Sequence, residues 1–262
     1  MMKRLPNWIA TLIAAYSGAL LANLPSAAAE PSVFSSVQEV AAPVRPGSRA
    51  PNLFAAADGR IYMSWLQPLD NARFALQFAT WNGIRWSSAQ TVAASDRWFI
   101  NWADIPSVIA FPDGRIAAHW LKINDESAFT YAYDVNIAVS PDGKAQWSPI
   151  LTPHRDGTPT QHGFVSMLPA KNGDLMLLWL DGRNYTFAKD GSKKGASLSD
   201  RMTLRFAVRN RSGKLRQEQI LDDNTCSCCQ TTIAETARGA VVAYRDRTIS
   251  EVRDISVVHY DG

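Results

Sequence analysis

One phrase recurs along the chain and constrains its fold more than any other feature. Residues 58–66 read DGRIYMSWL, 113–121 DGRIAAHWL, 172–180 NGDLMLLWL and 238–246 RGAVVAYRD. Matching positions Trp65, Trp120, Trp179 and Arg245 lie 55, 59 and 66 residues apart. Each phrase follows a short apolar run: NLFAAA, SVIAFP, VSMLPA or TTIAET. Asp-Gly or Asn-Gly between such runs predicts a tight two-residue hairpin, because those residues tolerate positive φ. After each hairpin come a polar loop of variable length and a third strand: FALQFATW, DVNIAVSP, MTLRFAVR and RDISVVHY. In the first three units Asn82-Gly83, Asp142-Gly143 and Ser212-Gly213 then turn into a fourth strand. No amphipathic helical stretch of useful length interrupts the pattern.

Four-stranded units repeating at this period predict an all-β fold, a β-propeller of antiparallel blades. A β-sandwich also has short strands and regular turns, but nothing in it requires one phrase per four strands. Three full blades and most of a fourth fit the chain. Asp261-Gly262 stands where each earlier blade turns into its outer strand, and VFSSVQEVAA at 33–42 is similar to the outer-strand segment RWSSAQTVAA at 85–94. Residues 33–40 therefore either close a small four-bladed ring, or the chain is the N-terminal part of a six-bladed ring truncated at its C-terminus. The expectation favours truncation, since a turn with nothing after it has no use.

Residues 1–29 predict a signal peptide. Lys3 and Arg4 precede an apolar run from Trp8 to Leu21, and Ala27-Ala28-Ala29 offers an A-x-A cleavage site. The mature domain is then 30–262, periplasmic or secreted. No later stretch approaches about 18 consecutive apolar residues, so no membrane insertion of the mature chain is expected. The chain's net charge of +3 rests partly on the two basic residues of the signal and falls to +1 without them. A nucleic-acid partner, which needs a clustered cationic face, is not expected.

Propeller topology puts the loop entering each first strand, and the loop joining second to third strand, on one rim. The unusual polar residues fall there: entry loops at 45–49, 96–104, 154–162 and 222–230, and second loops at 67–73, 122–133, 181–201 and 247–253. Long irregular loops on a rigid scaffold are where binding and catalysis reside. In the fourth phrase Arg245-Asp246 replaces Trp-Leu. With Arg247 and Arg253, Arg245 either clamps a carboxylate, whose two oxygens match a guanidinium, or is neutralised by Asp246, Glu251 and Asp254. His154, Asp156 and His162 in PHRDGTPTQHG either work as acid, base or ligands, or are hydrogen-bonded structural groups. Rim residues Asp104, His154, His162, Asp181, Arg183 and Arg253 are candidate substrate contacts. Trp98 and Trp102 either stack on a sugar or are buried between blades. The three cysteines, Cys226, Cys228 and Cys229, cannot all pair. They predict one disulfide (Cys226–Cys229 or Cys226–Cys228) with a free thiol, or a thiolate site for Cu(I) or Zn. No other cofactor is expected.

The blades resemble those of sialidases and their BNR (Asp-box) relatives over roughly residues 33–262. Ser140-Pro141-Asp142-Gly143-Lys144-Ala145-Gln146-Trp147 is similar to the S-x-D-x-G-x-x-W Asp-box, with the Gly one place early. Arg49-Ala50-Pro51 resembles the R-I-P tripeptide that opens a sialidase catalytic domain. The resemblance implies that Arg49, with Arg245 or Arg247, binds a sugar carboxylate and that Asp70 is the acid/base. The family's nucleophilic Tyr, activated by a Glu, has no identifiable match here. NWADIPS, HRDGTPTQHG and CSCCQ are not sialidase signatures and look more like a bacterial group of exported sialidase-like propellers. The implied function is exo-hydrolysis of carboxylate-bearing sugars (sialosides). The alternatives are a non-catalytic glycan-binding propeller and a metal- or redox-linked periplasmic protein using the three cysteines. The expected partner is a glycan or other small carbohydrate.

Overall fold

A computed structural model describes residues 37–126, 129–144, 146–185 and 201–261. Residues 1–29, where a signal peptide is expected, most of the loop at 181–201, and Gly262 lie outside the described residues. Four antiparallel sheets follow one another along the chain. The first holds β1 (Arg49–Ala55), β2 (Ile61–Pro68), β3 (Phe74–Trp81) and β4 (Gln90–Ser95). The second holds β5 (Ser107–Ala110), β6 (Ile116–Ile123) and β7 (Tyr133–Ser140). The third holds β8 (His162–Pro169), β9 (Leu175–Asp181), β10 (Met202–Arg209) and β11 (Leu215–Thr225), and the fourth β12 (Thr232–Thr236), β13 (Gly239–Arg245) and β14 (Ile255–Tyr260). Within every sheet the strands pair in sequence order. No described helix is long and apolar enough to cross a membrane.

Side-chain alternation explains why the repeated phrases are almost continuously apolar. Successive residues of a strand point to opposite faces, and here both faces of the central sheets are covered. In β6, Ile116, Ala118 and Trp120 pack toward the first sheet, while Ala117 and Leu121 pack toward the third. In β9, Leu175, Leu177 and Trp179 face the second sheet, and Leu178 and Leu180 the fourth. Three cores thus lie in series between consecutive sheets. The first strands β1, β5, β8 and β12 together line one cavity of 430 Å³. This is radial packing about a shared centre rather than two layers. Comparable packing does not join β12 back to β1 among the described residues.

Three local expectations are corrected, and the ring-closing alternative gains no support. The D-G hairpins are not two-residue turns: Ala56 N–H donates to Arg60 O and Gly59 N–H to Ala56 O, with Gly59 alone at positive φ (82°). The same pair of bonds closes the turns at Gly114, Gly173 and Gly213, so each is a longer turn ended by a left-handed glycine. Next, the second sheet lacks its fourth strand. Residues 148–151 bond to β7 through the Ile137–Leu151 bridge and two Ser148–Val139 bonds but form no strand, because Pro149 and Pro153 supply no ladder N–H. In the separate unit that ends at Ala41, residues 37–40 form no strand, and Val37 is 99% exposed. Residues 33–36 lie outside the described set. Finally, β13 is slipped by one residue against the phrase: Val242 and Tyr244 face the third sheet, so Tyr244, not Arg245, stands where the other units place Trp. A one-residue slip exchanges the faces of a strand. Arg245 therefore points away from the preceding sheet.

Candidate functional site

The residues implied to be catalytic are not assembled. Arg49 opens β1 with its guanidinium 5.0 Å from the Phe74 ring centre, and Asp70 is exposed in the β2–β3 turn. No hydrogen bond or ion pair among the described residues links either to Arg245, Arg247 or Arg253. Glu251 accepts from both Arg247 and Arg253, the latter at 2.8 Å, and so neutralises part of the arginine cluster. Asp246 instead accepts from the Arg247 backbone N–H and the Ser256 hydroxyl. Arg245 donates to the Arg253 carbonyl at 3.1 Å and reaches Cys229 Sγ at 3.5 Å.

His154 and His162 do come together, with rings parallel within 3° and centres 3.7 Å apart. His162 is fully buried at the start of β8, 3.3 Å from Asp156 Oδ2, 3.7 Å from Asp181 Oδ1 and 3.9 Å from Asp134 Oδ1. Asp134, His154 and His162, or Asp156, His162 and Asp181, place ligand atoms close enough for one ion. Parts of both sets already have partners. The Val135 N–H donates to His154 Nε2 at 3.2 Å, and Arg183 Nη2 sits 2.6 Å from Asp181 and 3.3 Å from Asp156. Burial holds the His154 imidazole down to about 3, so it is neutral. Burial works against charge on Asp181, but Arg183, His162 and the Trp179 indole outweigh it and hold its carboxyl below the usual range. This is an ion-pair lattice between the second and third sheets, which Glu218 and Arg205 extend, and within it both His162 ring nitrogens and Asp156 Oδ2 are buried without a hydrogen bond.

A different site lies where the entry loops of the second, third and fourth sheets meet. Asn101, Trp102, Tyr131, Tyr133, Gln161 and Cys228 line most of a 270 Å³ pocket there, and among the described residues no charged side chain lines it. Trp102 is 94% exposed and Tyr131 51%, so two aromatic rings are exposed at the rim, Tyr131 packing on Phe99 and Phe129. Tyr133 forms the floor, stacked on Phe99 at 3.8 Å. Its hydroxyl donates to Asp104 Oδ2 at 3.0 Å and accepts from Gln161 Nε2 at 3.2 Å. The Phe164 N–H donates to the same Asp104 oxygen at 2.8 Å. Burial nevertheless pushes the Asp104 carboxyl up to about 7. Gly163 makes this contact possible: a Cβ there would lie 2.0 Å from Asp104 Oδ2 and 2.5 Å from Tyr133. Asp104, expected to contact substrate, instead supports the floor from behind.

The sequence reading missed Tyr131, Tyr133 and Gln161. Its available signal was YAY at 131–133, two tyrosines at the end of a loop that the sequence already put on the rim. Trp98 is buried against Trp120, its indole donating to Phe74 O, so of the two stacking candidates only Trp102 is free. Cys226, Cys228 and Cys229 are free thiols, with Sγ of Cys226 3.2 Å from Cys229 and 3.7 Å from Cys228.

No protein-family model matches the chain, and neither does any curated protein. Solved structures do. An α-L-arabinanase of Penicillium chrysogenum complexed with arabinobiose superposes with TM-score 0.50 at 14% identity, over 79% of this chain and 60% of that one. A Hadza microbial sialidase gives TM-score 0.50 at 14% identity, over 82% and 45%. A Dyadobacter fermentans protein of unknown function gives 0.50 at 13%, over 80% and 65%. The fold is that of the β-propellers. At this identity the likeness concerns fold alone, and the chain spans less than two thirds of each of these neighbours.

Proposed function

We propose that this propeller is an exported carbohydrate-recognition protein that binds a neutral sugar in the entry-loop pocket without cleaving it. The observation that carries the reading is the pocket's chemistry. Two exposed aromatic rings offer a platform for the C–H face of a sugar, and amide and phenol groups offer hydrogen bonds to its hydroxyls. The solved neighbours include carbohydrate-active propellers, an arabinanase and a sialidase, which supports a carbohydrate ligand.

Turnover by a tyrosine nucleophile runs against the electrostatics. Tyr133 and Asp104 form a phenol–carboxyl pair, yet burial drives the phenol pKa far up and the carboxyl pKa up with it. An activated nucleophile needs the opposite shift. The finer reading, exo-hydrolysis of sialosides through Arg49, Asp70, Arg245 and Arg247, would need arginines free to clamp a carboxylate. Glu251 already holds Arg247. The test uses the full chain against chromogenic neutral glycosides and a fluorogenic α-sialoside, beside retention on immobilised neutral polysaccharide. Retention without turnover is expected. Sialoside hydrolysis abolished by Arg49→Ala and Asp70→Asn would overturn the reading.

A further inference from the structure

The three cysteines are unexplained by the sugar pocket, and their surroundings are specific. They occupy the short loop between β11 and β12, and the Cys226 N–H bonds to Arg245 O at 3.0 Å, tying that loop to the end of β13. All three sulfurs lie within 4.8 Å of one another. Sulfurs about 2.3 Å from one ion stand roughly 4 Å apart, so small movements would bring all three onto a common centre. Cys226 is buried, Cys229 half-buried and Cys228 exposed, which gives the cluster an anchored base and an open entry.

We infer that Cys226, Cys228 and Cys229, with Arg245 and Arg253, form a binding site for one Cu(I) ion. Two observations select that ion. Thiolates favour soft metals, and no fourth His, Cys, Asp or Glu joins the three sulfurs among the described residues. A closed zinc site takes four protein ligands, whereas three sulfurs complete a trigonal Cu(I) centre. Charge is the second. Three thiolates around Cu(I) carry a net charge of −2. Arg245 Nη1 lies 3.5 Å from Cys229 Sγ, and Arg253 Nη1 3.9 Å from Cys226 Sγ. These two guanidiniums are the charged groups that reach the sulfurs and offset that negative charge, with Glu251 pairing Arg253 from behind.

The experiment titrates the reduced full chain anaerobically with the Cu(I)–acetonitrile complex, in competition with bathocuproine disulfonate. Expected are one copper retained per chain, near-ultraviolet thiolate-to-copper absorption, and loss of all three titratable thiols. Cys226→Ser and Cys229→Ser should each abolish retention. Should the buried Cys226 variant fail to fold, the Cys229 variant decides. Arg245→Gln and Arg253→Gln should keep three thiols and weaken binding about tenfold. Copper retained equally by the Cys229→Ser variant would overturn the site. Displacement by equimolar Zn(II), or unchanged affinity in both arginine variants, would overturn the Cu(I) assignment. Cys226 and Cys229 do not line the sugar pocket, so sugar binding by their variants reports separately on that reading.

Discussion

Asp104 sits between opposing influences. Two donors favour its charged form, but burial wins and raises the carboxyl to about 7 against an ordinary value near 3.8. Between those values the folded protein holds a proton that the unfolded chain has released. The native state then binds more protons, so this group's contribution is present at low pH and lost as pH rises toward 7. His154 and His119, held by burial to about 3 and about 4, act with the opposite sign below about 6.5. The measurement must therefore be a difference. Urea unfolding of the wild type minus that of Asp104→Asn should fall by about 2 kcal/mol from pH 5 to pH 7.5. Parallel pH profiles would contradict the buried acid. Gly163→Ala tests the same contact sterically. The added methyl meets Asp104 and Tyr133 well inside contact distance, so it should cost about 1–3 kcal/mol and weaken ligand binding at the pocket floor.

At the level of elements, the hairpin glycines differ in a way that can be measured. Gly114 has φ +88°, and a Cβ added there would meet nothing within 4 Å, so Gly114→Ala should cost about 1 kcal/mol from backbone strain alone. Gly143 has φ +70° and a Cβ there would lie 2.7 Å from the Gly114 carbonyl oxygen. Its alanine variant should lose clearly more stability in thermal melts, and equal losses would contradict the turn-to-turn contact. The strands themselves were legible because a run buried on both faces is nearly all apolar, and FALQFATW and MTLRFAVR match β3 and β10 residue for residue. Prolines 149 and 153 were visible too, but a turn signal before them outweighed their missing donors. The slip in β13 was not legible. Its hairpin closes directly from Thr236 to Gly239, a pairing the phrase cannot express. Reading Arg245 as a displaced Trp followed from that. The pocket was half legible: Trp102 and Asp104 come from one loop, but Tyr133 and Gln161 join them only through the packing of three sheets.

For the whole molecule, serial packing of sheets about a common cavity brings loops from distant parts of the chain to one rim. Trp102, Tyr131, Gln161 and Cys228 meet there although 126 residues separate the first from the last. The ion-pair lattice around His162 and the thiol loop flank this point without lining its aromatic mouth, apart from Ser227 and Cys228. That arrangement separates a neutral ligand surface from the charged groups. Its central consequence is that the rim tryptophan should report a neutral sugar directly. The decisive measurement is a titration of the full chain's tryptophan fluorescence with neutral oligosaccharides and with sialyllactose, repeated on Trp102→Ala. The account predicts a saturable change with a neutral sugar, at a Kd of about 0.1–1 mM as suits so small a pocket, lost in Trp102→Ala. Saturation by sialyllactose alone, or a neutral-sugar response that survives in Trp102→Ala, would contradict it.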